Sequence, residues 1–177
     1  MQFQGEILPG NKMTLLVISA LLLSVTTFCT ADCPDGFSKH GGSCYKVVRI
    51  KATWAESDIY CHSAGADLAT IETPEEQRFL EGHLATNAGA YDPPQFWIGG
   101  NDFAEEGTWE WLKSKTPISA QSYSNWIGAT SPPINSDENC LMVTKGQHYK
   151  WEDNNCDDKY FFICEKDAYA NVGIVIG

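Results

Sequence analysis

The stretch Asp137-Glu138-Asn139-Cys140-Leu141-Met142-Val143-Thr144-Lys145-Gly146-Gln147-His148-Tyr149-Lys150-Trp151-Glu152-Asp153-Asn154-Asn155-Cys156 gathers two cysteines, a tryptophan and many oxygen-bearing side chains in one short interval. Leu141 to Thr144 and His148 to Trp151 are rich in residue types that suit strands, and Gly146 between them supplies a turn, so the interval reads as a hairpin. Cys140 and Cys156 sit at its two open ends. A disulfide between them would hold Glu138 close to Glu152, Asp153, Asn154 and Asn155. Carboxylate and amide oxygens concentrated in this way are the ligands a hard cation takes.

The other cysteines set the context. A leader carrying Lys12 is followed by the apolar run Thr14 to Phe28, too short to span a bilayer, and then by Cys29-Thr30-Ala31, whose small residues suit signal peptidase. We read residues 1–31 as a secretory signal peptide cleaved after Ala31, with Met1 or Met13 as the start. A buried helix or a membrane anchor fits less well, given the extreme N-terminal position and the missing stop-transfer flank. Cleavage removes Cys29 and leaves the even set Cys33, Cys44, Cys61, Cys140, Cys156 and Cys164, which in a secreted chain means disulfides. A sulfur-ligated zinc site is disfavoured, because there is no Cys-x-x-Cys pair and the histidines are scattered singly.

The net charge is −11, and it stays −11 after cleavage because Glu6 and Lys12 leave together. Such acidity disfavours nucleic acid and anionic membranes as partners and favours cations or a mineral surface that presents them. For most of these carboxylates, solubility alone is a sufficient role. Catalysis lacks support, since there is no Gly-x-Ser-x-Gly, no nucleophile without disulfide duty and no carboxylate evident in sequence to orient a histidine. Asp153-x-Asn155-x-Asp157 imitates the start of an EF-hand loop, but Asp158 stands at the glycine position and Cys164 at the closing glutamate.

Along the chain, Cys33 to Cys44 reads as a small stapled hairpin, followed by a strand from Tyr45 to Ile50. Thr53-Trp54-Ala55-Glu56 is a capping box opening a helix to about Ser63, with Ala55, Ile59 and Cys61 as its buried side and Gly65 as its stop. Thr73-Pro74-Glu75-Glu76 opens a second helix, whose buried face is marked by Phe79, Leu80 and Leu84. Phe96-Trp97-Ile98-Gly99 reads as a central strand, Thr108 to Leu112 as a short aromatic one, and Lys159 to Glu165 as the closing strand. The irregular excursion through Ser131-Pro132-Pro133 is long enough to be functional. The fold class is α+β, with a domain over residues 32–167 and a short tail over 168–177.

The order of the six cysteines, with Trp97-Ile98-Gly99 in the middle and Trp151-Glu152-Asp153 before the fifth, resembles the long form of the C-type lectin-like domain. The resemblance runs from Cys33 to about Lys166. It implies two helices, small antiparallel sheets and three disulfides pairing Cys33 with Cys44, Cys61 with Cys164, and Cys140 with Cys156. In sugar-binding members calcium is held by a Glu-Pro-Asn or Gln-Pro-Asp triad, a glutamate two residues before the fourth cysteine, and Trp-Asn-Asp. Glu138 and Asp153 match that pattern, Glu152 replaces the asparagine, and Ser131-Pro132-Pro133-Ile134 stands where the triad would be. An auxiliary calcium would map to Asp102, Glu106 and Glu138, with Asn139 in place of an aspartate.

Glutamate at position 152 brings acceptors alone where asparagine brings donor and acceptor, so the site is better made for the ion than for the sugar. Trp109 and Trp111 could stack on sugar faces, but as tryptophans of this fold they read first as core. The expectation is a secreted, non-enzymatic lectin that binds glycans or glycoproteins through calcium held by Glu138, Glu152 and Asp153. The alternative is a lectin-fold module that binds protein or mineral without sugar.

Overall fold

The computed structural model describes residues 33–86, 88–128, 135 and 137–168. The predicted leader, the Ser131-Pro132-Pro133-Ile134 stretch and the tail beyond Ala168 lie outside the described residues. The described residues belong to one compact unit.

Strand β1 (Ser38–His40) and strand β2 (Ser43–Ala52) make an antiparallel hairpin, closed at its base by the Cys33–Cys44 disulfide. Helix α1 (Trp54–Ser63) starts at the capping box: Glu56 N–H donates to Thr53 Oγ1 at 3.2 Å and Thr53 N–H donates to Glu56 Oε2 at 3.0 Å. Its inner face is Trp54, Ser57 and Cys61, whereas Ala55 is exposed and Ile59 is 69% exposed, contrary to expectation. The orientation is fixed by two ties that outweigh the apolar pattern. The Trp54 indole N–H donates to Ile98 O at 2.8 Å, and Cys61 is bonded to Cys164. Ala55 and Ile59, four residues apart, share a different face.

Strand β3 (Asp67–Leu68) leads to helix α2 (Pro74–Thr86), which buries Gln77, Leu80 and Leu84 and leaves Phe79 partly covered. Strands β4 (Gln95–Asn101), β5 (Glu110–Trp111), β6 (Cys140–Thr144), β7 (Lys150–Asn154) and β8 (Tyr160–Asp167) follow. The pairings link all of them into one mixed sheet in the order β1-β2-β8-β4-β6-β7, with β3 on β8 and β5 on β4. The β4–β8 pair is parallel and the others are antiparallel.

Gly99 and Gly100 set how tightly this sheet closes. A Cβ on Gly99 would lie 2.9 Å from Leu68 O, and one on Gly100 would lie 2.4 Å from Leu141 Cδ2. The absence of side chains there lets β3 and the Leu141 side chain of β6 approach β4. The core has two parts, one around Trp109, Trp111, Trp126, Trp151 and Ile98, the other around Trp54, Trp97, Met142 and Phe162.

The hairpin that opened the sequence reading forms, with its second strand displaced. Lys145–Gln147 is one turn of 3-10 helix, and His148 and Tyr149 follow in left-handed backbone at φ 56° and 61°, so β7 begins at Lys150 rather than His148. The displacement carries Glu152 and Asp153 into the strand, and the Cys140–Cys156 disulfide closes the open end.

Candidate cation and ligand site

Three strand ends meet at this closed end. The register aligns Asn101 of β4 with Cys140 of β6, and Cys140 with Asn154 of β7. Asp102, just past β4, is 2% exposed. Its Oδ2 accepts the Gly107 N–H at 2.8 Å, and its own N–H donates to Asn139 O at 3.4 Å, which ties the turn after β4 to the entry of β6. Glu138 is half-buried and accepts from the Asn135 side-chain amide. Asp153 pairs with Leu141 across the ladder and is 7% exposed.

The electrostatics report the crowding of these groups. Burial pushes the Asp153 carboxyl up to about 6; its own backbone N–H works against the rise, and the charges of Glu138, Glu152 and Asp102 add to it. Burial, and then Glu138, raises Glu152 as well. Burial raises Asp102 against the opposing pull of the Gly107 N–H. Asp153 Oδ2, Asp102 Oδ1, the Asn101 side-chain amide and the Trp109 indole N–H are buried without a hydrogen-bond partner among the described residues. Unsatisfied buried carboxylate oxygens are costly, and a cation is one of the few things that removes the cost.

The expected residues are not all brought together. Asp153 stands with Trp151 on the face of the β6–β7 ladder that carries Leu141 and Val143, whereas Glu152 pairs with Met142 on the other face. Glu138 is near enough to raise both. Glu106 is exposed in the turn after Asp102. Among the described residues no three His, Cys, Asp or Glu side chains form a group able to hold a metal ion. Asp153, Asp102 and Glu138 offer the oxygen ligands a calcium ion takes, but they are not gathered into one three-ligand group, and the rest of a set of about six to eight oxygens must come from elsewhere.

Trp109 and Trp111 are 1% and 2% exposed and belong to the core, where Trp109 meets Trp126 with ring centroids 5.1 Å apart and Trp111 meets Trp151 at 5.5 Å. The exposed ring beside the acidic cluster is Phe103, 57% exposed directly after Asp102. Two residues escaped the sequence reading. Asn101 had a signal, as the polar residue that closes the apolar run Phe96 to Gly100. Gln77 had none: it looks like a surface residue of α2, yet its amide accepts from the Trp151 indole N–H at 2.9 Å and donates to Tyr149 O at 2.8 Å. It thereby holds the helix against the hairpin that carries the acidic cluster.

Comparison with known proteins agrees with this architecture. Residues 50–166 match the Lectin C-type domain. The chain is 31% identical over 142 residues to perlucin of Haliotis laevigata, covering 78% of this chain and 87% of that protein. It is 29% identical to ladderlectin of Oncorhynchus mykiss over 73% of its own length and 65% of that protein's. Among solved structures, a calcium-independent type II antifreeze protein superposes with a TM-score of 0.66 at 27% identity, covering 77% of this chain and 95% of that one. The C-type lectin domain of murine dendritic cell inhibitory receptor 2, in complex with an N-glycan, superposes at 0.65 and 27% identity, covering 77% and 99%.

Proposed function

Because the chain belongs to the C-type lectin domain family, we propose that it is a secreted carbohydrate-binding lectin whose glycan contact depends on calcium. Glu138 and Asp153 are the central ligands in this reading, with Glu152, on the other face of the ladder, as the third expected ligand. Asp102 and Glu106, with Glu138, would serve an auxiliary ion. The observation that carries the proposal is the Asp153 carboxylate: buried, one oxygen unpartnered, and raised to about 6 by burial and by the acidic groups around it. Bound there, calcium would offer coordination positions to a pair of vicinal sugar hydroxyls. The chain's own part is to hold the carboxylates in place through the Cys140–Cys156 disulfide and the Asp102 turn, and to accept hydrogen bonds from those hydroxyls. An ion that binds the folded chain alone raises its melting temperature with concentration, so the first test is a melting curve in millimolar calcium against chelator. A shift upward is expected, and coincident curves would remove the ion from the account.

A second reading is favoured by specific observations. Around Ser131-Pro132-Pro133-Ile134 a proline is kept, but neither the acidic or amide member of the sugar-binding triad nor its asparagine is recognisable; no three His, Cys, Asp or Glu side chains form a metal-holding group among the described residues; and one fold neighbour is a calcium-independent antifreeze protein. On this reading the chain is a lectin-fold module that binds protein or mineral without sugar. It predicts no glycan binding under any calcium condition.

A further inference from the structure

On the other side of the β6–β7 hairpin from its disulfide, a cavity of about 580 Å³ opens between helix α2 and the turn that precedes β7. Helix α2 contributes Arg78, Glu81 and Gly82, and the turn contributes Lys145, His148 and Tyr149. In a chain of net charge −11, this concavity gathers Lys145, Arg78 and an imidazole against the Glu81 carboxylate, with Arg78 also paired to the exposed Glu75 on its own helix. One oxygen of that carboxylate is already engaged, because Glu81 Oε1 accepts from the Gln77 amide at 2.9 Å. Tyr149 lines the cavity, and its hydroxyl is buried without a partner among the described residues. Burial, with Glu81 adding, keeps that phenol above its ordinary value, so it stays a hydrogen-bond donor at neutral pH.

Two backbone features hold the space open. His148 and Tyr149 take left-handed φ values that non-glycine residues rarely adopt. They are kept there by the Tyr149 N–H donating to Thr144 O at 2.9 Å and by the Gln77 amide donating to Tyr149 O at 2.8 Å. Gly82 sits inside α2, where glycine weakens a helix, and nothing lies within 4 Å of the position its Cβ would take. Packing does not require glycine there, and its effect is to leave the cavity unfilled.

We propose that this cavity is a second binding site, independent of calcium, for an anionic saccharide. Lys145 would meet a sulfate or uronate carboxylate together with Arg78, which would exchange its exposed partner Glu75 for the ligand, and a turn of the Tyr149 side chain would bring its unpartnered hydroxyl to the sugar. The size suits a short oligosaccharide, and a polar donor beside an aromatic ring suits a sugar better than an extended acidic peptide. The site lies apart from Glu138 and Asp153 and does not rest on the calcium reading.

The test is direct binding in chelator to a sulfated dextran oligosaccharide, to an oligogalacturonate and to neutral dextran, with poly-glutamate as the acidic-protein control. The sulfated or uronate saccharide is expected to bind, more weakly as salt rises, and neutral dextran is not. Lys145→Glu should lower the affinity at least tenfold and Tyr149→Phe severalfold. Gly82→Leu should block the site while leaving the melting temperature equal or higher, which separates occlusion from misfolding. Which of the two saccharides binds more tightly identifies the anion. The proposal is overturned if neither binds in chelator, if binding is unchanged in both Lys145→Glu and Gly82→Leu, or if poly-glutamate binds as tightly as the saccharide.

Discussion

Asp153 is held at an electrostatic cost, and the sign of that cost gives a prediction. An aspartate whose folded pKa lies above its ordinary 3.8, here at about 6, takes up a proton in the folded chain before the unfolded chain does. The penalty for its charge is therefore absent below about pH 4, grows between 4 and 6, and is complete above 6, where it amounts to at most about 3 kcal/mol. In chelator, Asp153→Asn should raise the melting temperature at pH 7.5 by several degrees and leave it unchanged at pH 4, as a melting series across pH will read. Calcium should stabilise the wild type and not the variant. Gln77 makes the opposite case, a polar residue that supports the fold by being satisfied. Gln77→Leu leaves the Trp151 indole N–H without its partner and Tyr149 O with the longer 3.3 Å bond from the Asn125 amide. Urea unfolding should show a loss of about 1 to 3 kcal/mol.

Elements that announce themselves by local chemistry were legible in the sequence. Both helix starts were, because Thr53 with Glu56 and Thr73 with Glu76 satisfy each other's backbone donors within four residues of chain. Thr53→Ala should cost about 1 kcal/mol by the same unfolding measurement. The inner face of α1 was not legible, because Trp54 and Cys61 are fixed by Ile98 and Cys164, far away in sequence. The start of β7 was missed for a related reason: His148 and Tyr149 look like strand formers, but the Tyr149 N–H donating to Thr144 O and the Gln77 amide donating to Tyr149 O hold them in a left-handed turn. Register then decided what no pattern could, placing Glu152 and Asp153 on opposite faces of the ladder. The glycines of β4 carry a further prediction. Gly100→Ala would set a methyl 2.4 Å from Leu141 Cδ2 and should destabilise by about 1 to 3 kcal/mol, whereas Gly82→Ala, with open space around it, should not.

At the scale of the molecule, the Cys61–Cys164 disulfide ties α1 to the last strand across 103 residues. Replacing both cysteines by alanine should cost about 4 to 5 kcal/mol by the chain-entropy relation, more than the loss from opening the shorter Cys33–Cys44 loop of 11. The same tie closes a sheet whose far strands, β6 and β7, present the acidic cluster, so the stapled fold and the candidate site share one scaffold. No helix among the described residues is long and apolar enough to cross a membrane. The central claim is that this scaffold binds a glycan through calcium. The measurement that reaches it most directly is binding to an array of neutral glycans in millimolar calcium and in chelator, with Asp153→Ala alongside. The account predicts binding in calcium that disappears in chelator and in the variant; neutral glycan retained in chelator, or none bound in either condition, would contradict it.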